Sequence, residues 1–196
     1  MKKILFIIQI IFLSASFQPT TKADDVRDFE IEGMSLGDSA LDFFTKNQIK
    51  KNQYKLGKSD KYLNSYFYNV KYKNYDAIEI SYLKNDKSYI IEGLSGGITV
   101  NNLNDCKKKY NQINNSLKVF FSKSHSRYDE GVHPADTNGK SVYFRTSYMI
   151  GAEAKYFEIE TSCIFYKGDA AQKFTSNAGV TIKTDKINDW LNNEAY

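Results

Sequence analysis

Hydrophobic positions along this chain recur with two different periods. Leu103, Cys106, Tyr110, Ile113, Leu117 and Phe120 repeat at intervals of three and four residues. That spacing predicts one apolar face of a helix of about 19 residues, with lysines and asparagines on the opposite face. Asn102 or Asn104 can cap its start. Elsewhere the period is two, which predicts strands over 28–32, 66–72, 77–83, 88–92 and 98–100. Ile78, Ile80 and Tyr82 share a face of the third of these, and Asn85-Asp86 turns the chain into the fourth. Further strands fall over 142–149 and 154–166, and a last one holds Val180 and Ile182. Phe157, Ile159, Thr161, Cys163 and Phe165 lie on one face of the 154–166 strand.

Shorter helices complete the pattern. Asp38 can cap an early helix carrying Leu41, Phe43, Phe44 and Ile49, and residues 185–196 form an amphipathic helix with Ile187, Trp190 and Leu191 inward. Residues 51–65 and 122–140 read as polar loops. The expected fold class is α+β: a mostly antiparallel sheet with two or three helices packed on one side.

The first 23 residues break this pattern. Lys2 and Lys3 precede an apolar run over 4–13 interrupted only by Gln9, and Thr21-Lys22-Ala23 offers small residues around a cleavage point. This is the layout of a signal peptide over 1–23. Ten apolar residues in a helix reach only about 15 Å, half a bilayer core. No Cys follows the run, so no lipoprotein anchor is expected and no membrane anchor remains after cleavage. The expectation is a periodic-patterned single domain over 24–196, periplasmic or secreted. Loss of Lys2, Lys3 and Lys22 lowers the net charge from +4 to +1. The basic balance of the whole chain therefore does not point to nucleic acid.

Compartment then gives meaning to the two cysteines, Cys106 and Cys163. Two thiols in an oxidising compartment are expected to pair. Each is in phase with an apolar face, one at helical and one at strand spacing, so a bridge would staple a helix to a sheet. Closing a loop of about 58 residues stabilises by about 4 kcal/mol in the chain-entropy model.

Several motifs invite an enzymatic reading. Gly33-Met34-Ser35-Leu36-Gly37 matches the nucleophile-elbow pattern around Ser35, but begins too early for a parallel sheet to have been built before it. Gly37-Asp38-Ser39 resembles the opening block of GDS-type lipases and esterases, which makes a small ester hydrolase using Ser39 the alternative function. Those enzymes carry an Asp-x-x-His pair near the C-terminus, and this chain has none. An unactivated serine is a poor nucleophile, so no catalytic residue is assigned. His125 and His133, with Asp129, Glu130 and Asp136, have the donor types of a metal site, yet their spacing fits no single regular face. No metal and no cofactor is expected. Gly139-Lys140-Ser141 lacks the upstream glycine of a phosphate-binding loop, since position 134 is Pro134.

Two features remain. Between Lys46 and Tyr75, eight lysines accompany Asp60 alone and interleave with Tyr54, Tyr62, Tyr66, Phe67, Tyr68, Tyr72 and Tyr75. Aromatic platforms beside cations suit a glycan, a peptide or an anionic surface. Residues 31–37 and 91–97 match at five of seven positions, as two diverged strand–turn–helix units would.

The stretches FEIEGMSLGDSALDFF, LNDCKKKYNQI, HPADTNGKS and GVTIKTDKINDWL resemble blocks of an uncharacterised family of exported proteins from Pelagibacter-like marine alphaproteobacteria. More remotely, the strand–turn–helix at Gly33-Met34-Ser35 resembles units of the BamE and β-lactamase-inhibitor-protein type, small envelope or secreted α+β interaction domains. That resemblance implies a fold analogy only. The expected function is an exported, non-catalytic binding or interaction domain of the cell envelope, with a protein, peptide or glycan as its partner.

Overall fold

A computed structural model describes residues 29–68, 71–134, 136, 138–152 and 155–195. The expected signal peptide over 1–23 lies outside the described residues. The element order is α1 (Lys46–Lys51), β1 (Gln53–Tyr54), β2 (Tyr62–Tyr68), β3 (Ala77–Leu83), β4 (Gly93–Thr99) and α2 (Leu103–Phe120). There follow β5 (His125–Val132), β6 (Val142–Ala152), β7 (Lys155–Phe165), α3 (Asp169–Lys173), β8 (Asn177–Thr184) and α4 (Asp185–Asn193). All eight strands form one antiparallel sheet in the order β1-β2-β3-β4-β8-β7-β6-β5. The chain thus repeats one plan, a helix followed by a four-stranded meander, and joins the two meanders through their last strands.

The period-two alternation now has two distinct destinations. One face carries Phe67, Ile78, Ile80, Leu94, Val180, Ile182, Ile159 and Tyr148, all buried in a single core. Two helices cover it. On α1, the Ile49 carbonyl accepts from Ser65 Oγ at 2.9 Å, and just before the helix the Phe44 ring stacks on Phe67 at 3.7 Å. On α2, Cys106, Tyr110, Asn114 and Leu117 are buried. The Tyr110 hydroxyl pairs with Thr146 Oγ1 at 2.6 Å, and Tyr148 donates to Asn114 Oδ1 at 2.6 Å. Cys106 is bonded to Cys163 of β7, with Cα atoms 5.5 Å apart, so the bridge does staple helix to sheet. Asn102 caps α2 by accepting from Asp105 N–H. At the helix end Phe121, four residues after Leu117, continues the buried stripe, while Phe120 is exposed.

The helices do not all pack on one side. Thr184 ends β8 and caps α4 directly, accepting from Ile187 N–H, so the chain folds back over the opposite face. There Ile187 lies against Gly93, and Trp190 packs on Tyr62 at 5.2 Å. Gly93 and Tyr62 alternate with Leu94 and Leu63, which face α1 and α2. Strand alternation therefore puts α4 on the other side of the sheet. A Cβ at Gly93 would lie 3.1 Å from Ser81 and 3.4 Å from Ile187, so the glycine lets the helix approach.

Other expectations shift locally. Residues 53–54 and 62–65, read as loop, are strand, as is His125–Val132. Residues 88–92 do not form a hairpin strand. They hydrogen-bond instead to the segment 37–40, where Gly37 N–H donates to Ile91 O at 2.9 Å and Ser39 bridges Ile90. Leu41 and Phe43 are exposed, and the capping of α1 belongs to Thr45 and Gln48 rather than Asp38. The echoed segments also adopt different backbones. Gly33 sits at φ 79 in a tight turn closed between Ile31 and Met34, whereas Gly93 opens a strand.

Candidate functional site

With one face sealed, the other carries the polar residues of the central strands. Register places these residues in rows across the sheet. One row runs Tyr66–Glu79–Ser95–Thr181–Glu160–Ser147–Arg127 through β2, β3, β4, β8, β7, β6 and β5. The next runs Tyr68–Ala77–Gly97–Gly179–Ser162–Arg145–Asp129. Small side chains at the centre leave a hollow. A cleft of about 710 Å³ lies over it, walled by Tyr54 and Tyr66 on one side and by Tyr166 and Phe174 on the other.

The floor of that cleft is backbone and hydroxyl. Ser95 Oγ and Thr181 Oγ1 hydrogen-bond at 2.9 Å between the two glutamates of their row. Gly179 has no room for a side chain, since its Cβ would sit 2.4 Å from the Gly96 carbonyl oxygen. Gly97 differs: a Cβ there meets nothing within 4 Å, so the space above it belongs to the cleft.

Beside α4 a second cleft of about 460 Å³ shares Glu160 and is lined by His125, Arg145, Glu158 and Lys183. Its charges are matched internally. Arg145 Nη2 is 2.6 Å from Asp129, Arg145 Nη1 is 3.9 Å from Glu160, and Lys183 is 3.4 Å from Glu158. Burial pushes the Glu160 carboxyl above the usual carboxylate range, while Lys183 and Arg145 pull it back. The Arg145 hydrogen bond holds Asp129 below that range.

Glu79 is different. Burial raises its carboxyl too, but the groups that favour its charge are the neutral Tyr54 hydroxyl and Asn64 amide. Asn64 Nδ2 donates to Glu79 Oε1 at 3.0 Å and reaches the Tyr54 hydroxyl at 3.4 Å. Among the described residues no Lys or Arg forms an ion pair with Glu79. Asn64 is only 2% exposed, and its Oδ1 has no hydrogen-bond partner among the described residues. The wall under Tyr54 and Tyr66 is therefore rich in acceptors. Burial and the Glu79 charge together raise both tyrosine hydroxyls above their ordinary pKa, so both stay protonated.

The sequence-derived candidates go elsewhere. Ser39 Oγ donates to the Ser88 carbonyl at 2.7 Å and accepts from Leu41 N–H, which makes it a cap. Ser35 is buried, with its hydroxyl on the Phe29 carbonyl at 3.2 Å, while its N–H donates to the Asp38 carboxylate at 2.8 Å. His125 opens β5 and His133 follows its end, and a strand rise of about 3.3 Å per residue separates them by roughly 26 Å. They cannot share one metal ion. His133 instead lies edge-on to Tyr166 at 4.9 Å, where burial lowers its pKa. Glu130 accepts from the Tyr128 hydroxyl, and Asp136 accepts from the N–H groups of Asn138, Lys140 and Ser141. Within the 46–75 window, Tyr62 and Phe67 are core residues, whereas Tyr54 and Tyr66 wall the cleft at 38% and 44% exposure. None of the window's lysines lines it.

Glu79 has no mark of its own in the sequence, because alternation sets it merely on the face opposite Ile78 and Ile80. The available signal was the run of Gly and Ser in β4 and of Gly and Thr in β8, since strand glycines mark a close approach or an open floor. Among the described residues no helix is long and apolar enough to cross a membrane. Compared with known proteins, the chain matches no family model, no curated protein and no solved structure.

Proposed function

We propose that this protein is an exported, non-catalytic binding domain that receives its ligand on the open face of the sheet. The observation that carries the reading is the asymmetry of the sheet: one face is sealed by α1, α2 and the Cys106–Cys163 bridge, while the other holds a 710 Å³ cleft with aromatic walls and a floor of glycine and hydroxyl. Clefts with aromatic walls and a few convergent polar groups are the usual form of ligand sites. The bridge supports export, because structural disulfides persist in oxidising compartments.

Gly97 allows a clean test. The Gly97→Trp variant places a large ring in the cleft where the backbone leaves open space, so the fold should remain intact by circular dichroism. A library of peptides and oligosaccharides screened by amide chemical shifts should give hits on Ser95, Gly97 and Thr181 that vanish in Gly97→Trp. Hits that map outside the cleft, or that survive the block, refute the reading.

A further inference from the structure

Of the carboxylates that line the 710 Å³ cleft, Glu79 is the one without a basic partner among the described residues, and it sits beside two tyrosine rings. Glu79 lies between β2 and β4, with Tyr66 as its direct cross-strand partner and Tyr54 one strand further out, opposite Asn64. Resting on the binding role above, we propose that this corner of the cleft holds an organic cation, an alkylammonium or guanidinium group, against Glu79 and the rings of Tyr54 and Tyr66.

Three observations converge on that chemistry. First, the charge balance differs between the two clefts. In the cleft beside α4 each lining carboxylate has a basic partner within 4 Å, whereas among the described residues Glu79 has only neutral donors. A carboxylate withdrawn from water gains most from a cation delivered with its own hydrogen bonds. Second, the hydrogen-bonding inventory is lopsided toward acceptors. Glu79 offers a carboxylate at the cleft surface, and behind it the buried Asn64 Oδ1 has no donor among the described residues. Ammonium and guanidinium groups are pure donors, whereas an anionic ligand would add acceptors to acceptors. Third, the rings are placed for it. Tyr54 and Tyr66 remain partly exposed at the lip of the cleft and stay protonated, and aromatic faces attract cations more strongly once water is displaced. The lysines interleaved with these tyrosines in sequence do not line the cleft, and Lys173, which does, stands next to Phe174 in the other wall and forms no ion pair with Glu79 among the described residues, which leaves the place beside Glu79 to a cation brought by the ligand.

The cation can arrive as a free small molecule or as a Lys or Arg side chain of a peptide. The experiment uses purified protein with n-butylammonium, its neutral isostere 1-butanol, and the capped peptide acetyl-Gly-Lys-Gly-amide, followed by titration calorimetry and amide shifts. At least one cation should bind at the Ser95, Gly97 and Thr181 amides, and the isostere should bind at least tenfold more weakly. Butylammonium alone indicates a free cation, and the peptide alone indicates a side chain. Glu79→Gln, which keeps shape and hydrogen bonding, should weaken the cation about tenfold. Tyr66→Ala should weaken it several-fold. Equal binding of the isostere, full binding by Glu79→Gln, or no binding of either cation overturns the assignment. A neutral saccharide that shifts the same amides independently of Glu79 would overturn it while leaving the face as the binding site. Loss of every shift on that face would remove both.

Discussion

Ile182 and Thr181 are neighbours in β8 and live in different solvents. Ile182 is fully buried between Leu94 and Ile159, under the layer that α1 and α2 complete. Thr181 points the other way, into a cleft between two glutamates. The same alternation repeats through the central strands, so the sheet separates two tasks by side. One face holds the fold together by apolar burial and a covalent bridge. The other keeps buried charge and open space, which cost stability and are useful for binding.

That division makes measurable claims. The largest effect belongs to the bridge on the covered face. Cys106→Ala or Cys163→Ala should lower stability by about 2–5 kcal/mol in urea unfolding, with the double variant little worse than either single, because one bond is lost in each case. Equal stability of reduced and oxidised protein would remove the bridge from the account. Next come the two neighbours in β8. Ile182→Ala should destabilise by about 2–5 kcal/mol, as large-to-small core changes do. Thr181→Ala loses one hydrogen bond to Ser95 and should cost about 1 kcal/mol. Similar losses at both positions would mean that the two faces are not distinct.

The smallest effect is a gain. Burial lifts the folded-state pKa of Glu79 above its ordinary value of 4.5, so the folded protein holds that proton more tightly than the unfolded chain does. The destabilising contribution is absent below pH 4.5, grows as pH rises through the raised pKa, and is complete above it. Glu79→Gln should therefore raise Tm at pH 7 and leave it unchanged near pH 3.5, measured by calorimetry. A variant less stable than the parent at pH 7 would show that the charge is compensated after all.

How much of this was legible in the sequence follows the same division. The covered face was readable, because apolar residues at spacings of three and four or of two state where they will be buried. Hence α2, Cys106, Cys163, Ile78, Ile80 and Ile182 were placed correctly. The side taken by α4 was not readable, since Ile187 and Trp190 declare only that they need a surface, and both faces supply one. Edge strands such as β5 were missed because their side chains are exposed on both sides and show no contrast. The cleft was invisible for a further reason. Its members come from β1, β2, β3, β4, β7 and β8, and only the strand order aligns Glu79 with Thr181 and Glu160.

That strand order has a consequence for how the protein assembles. Within each meander every pairing is a short-range hairpin, cheap in loop entropy and fast to form. The junction of β4 with β8 instead joins Gly93 to Lys183 and Thr99 to Asn177, positions some eighty to ninety residues apart. The Cys106–Cys163 bridge ties α2 to β7 inside the second half and does not cross that junction. The cleft floor straddles it, with Ser95 and Gly97 on one side and Thr181 and Gly179 on the other. Neither half alone carries the whole cleft, so the proposed ligand site is complete only once this long-range strand pairing has closed.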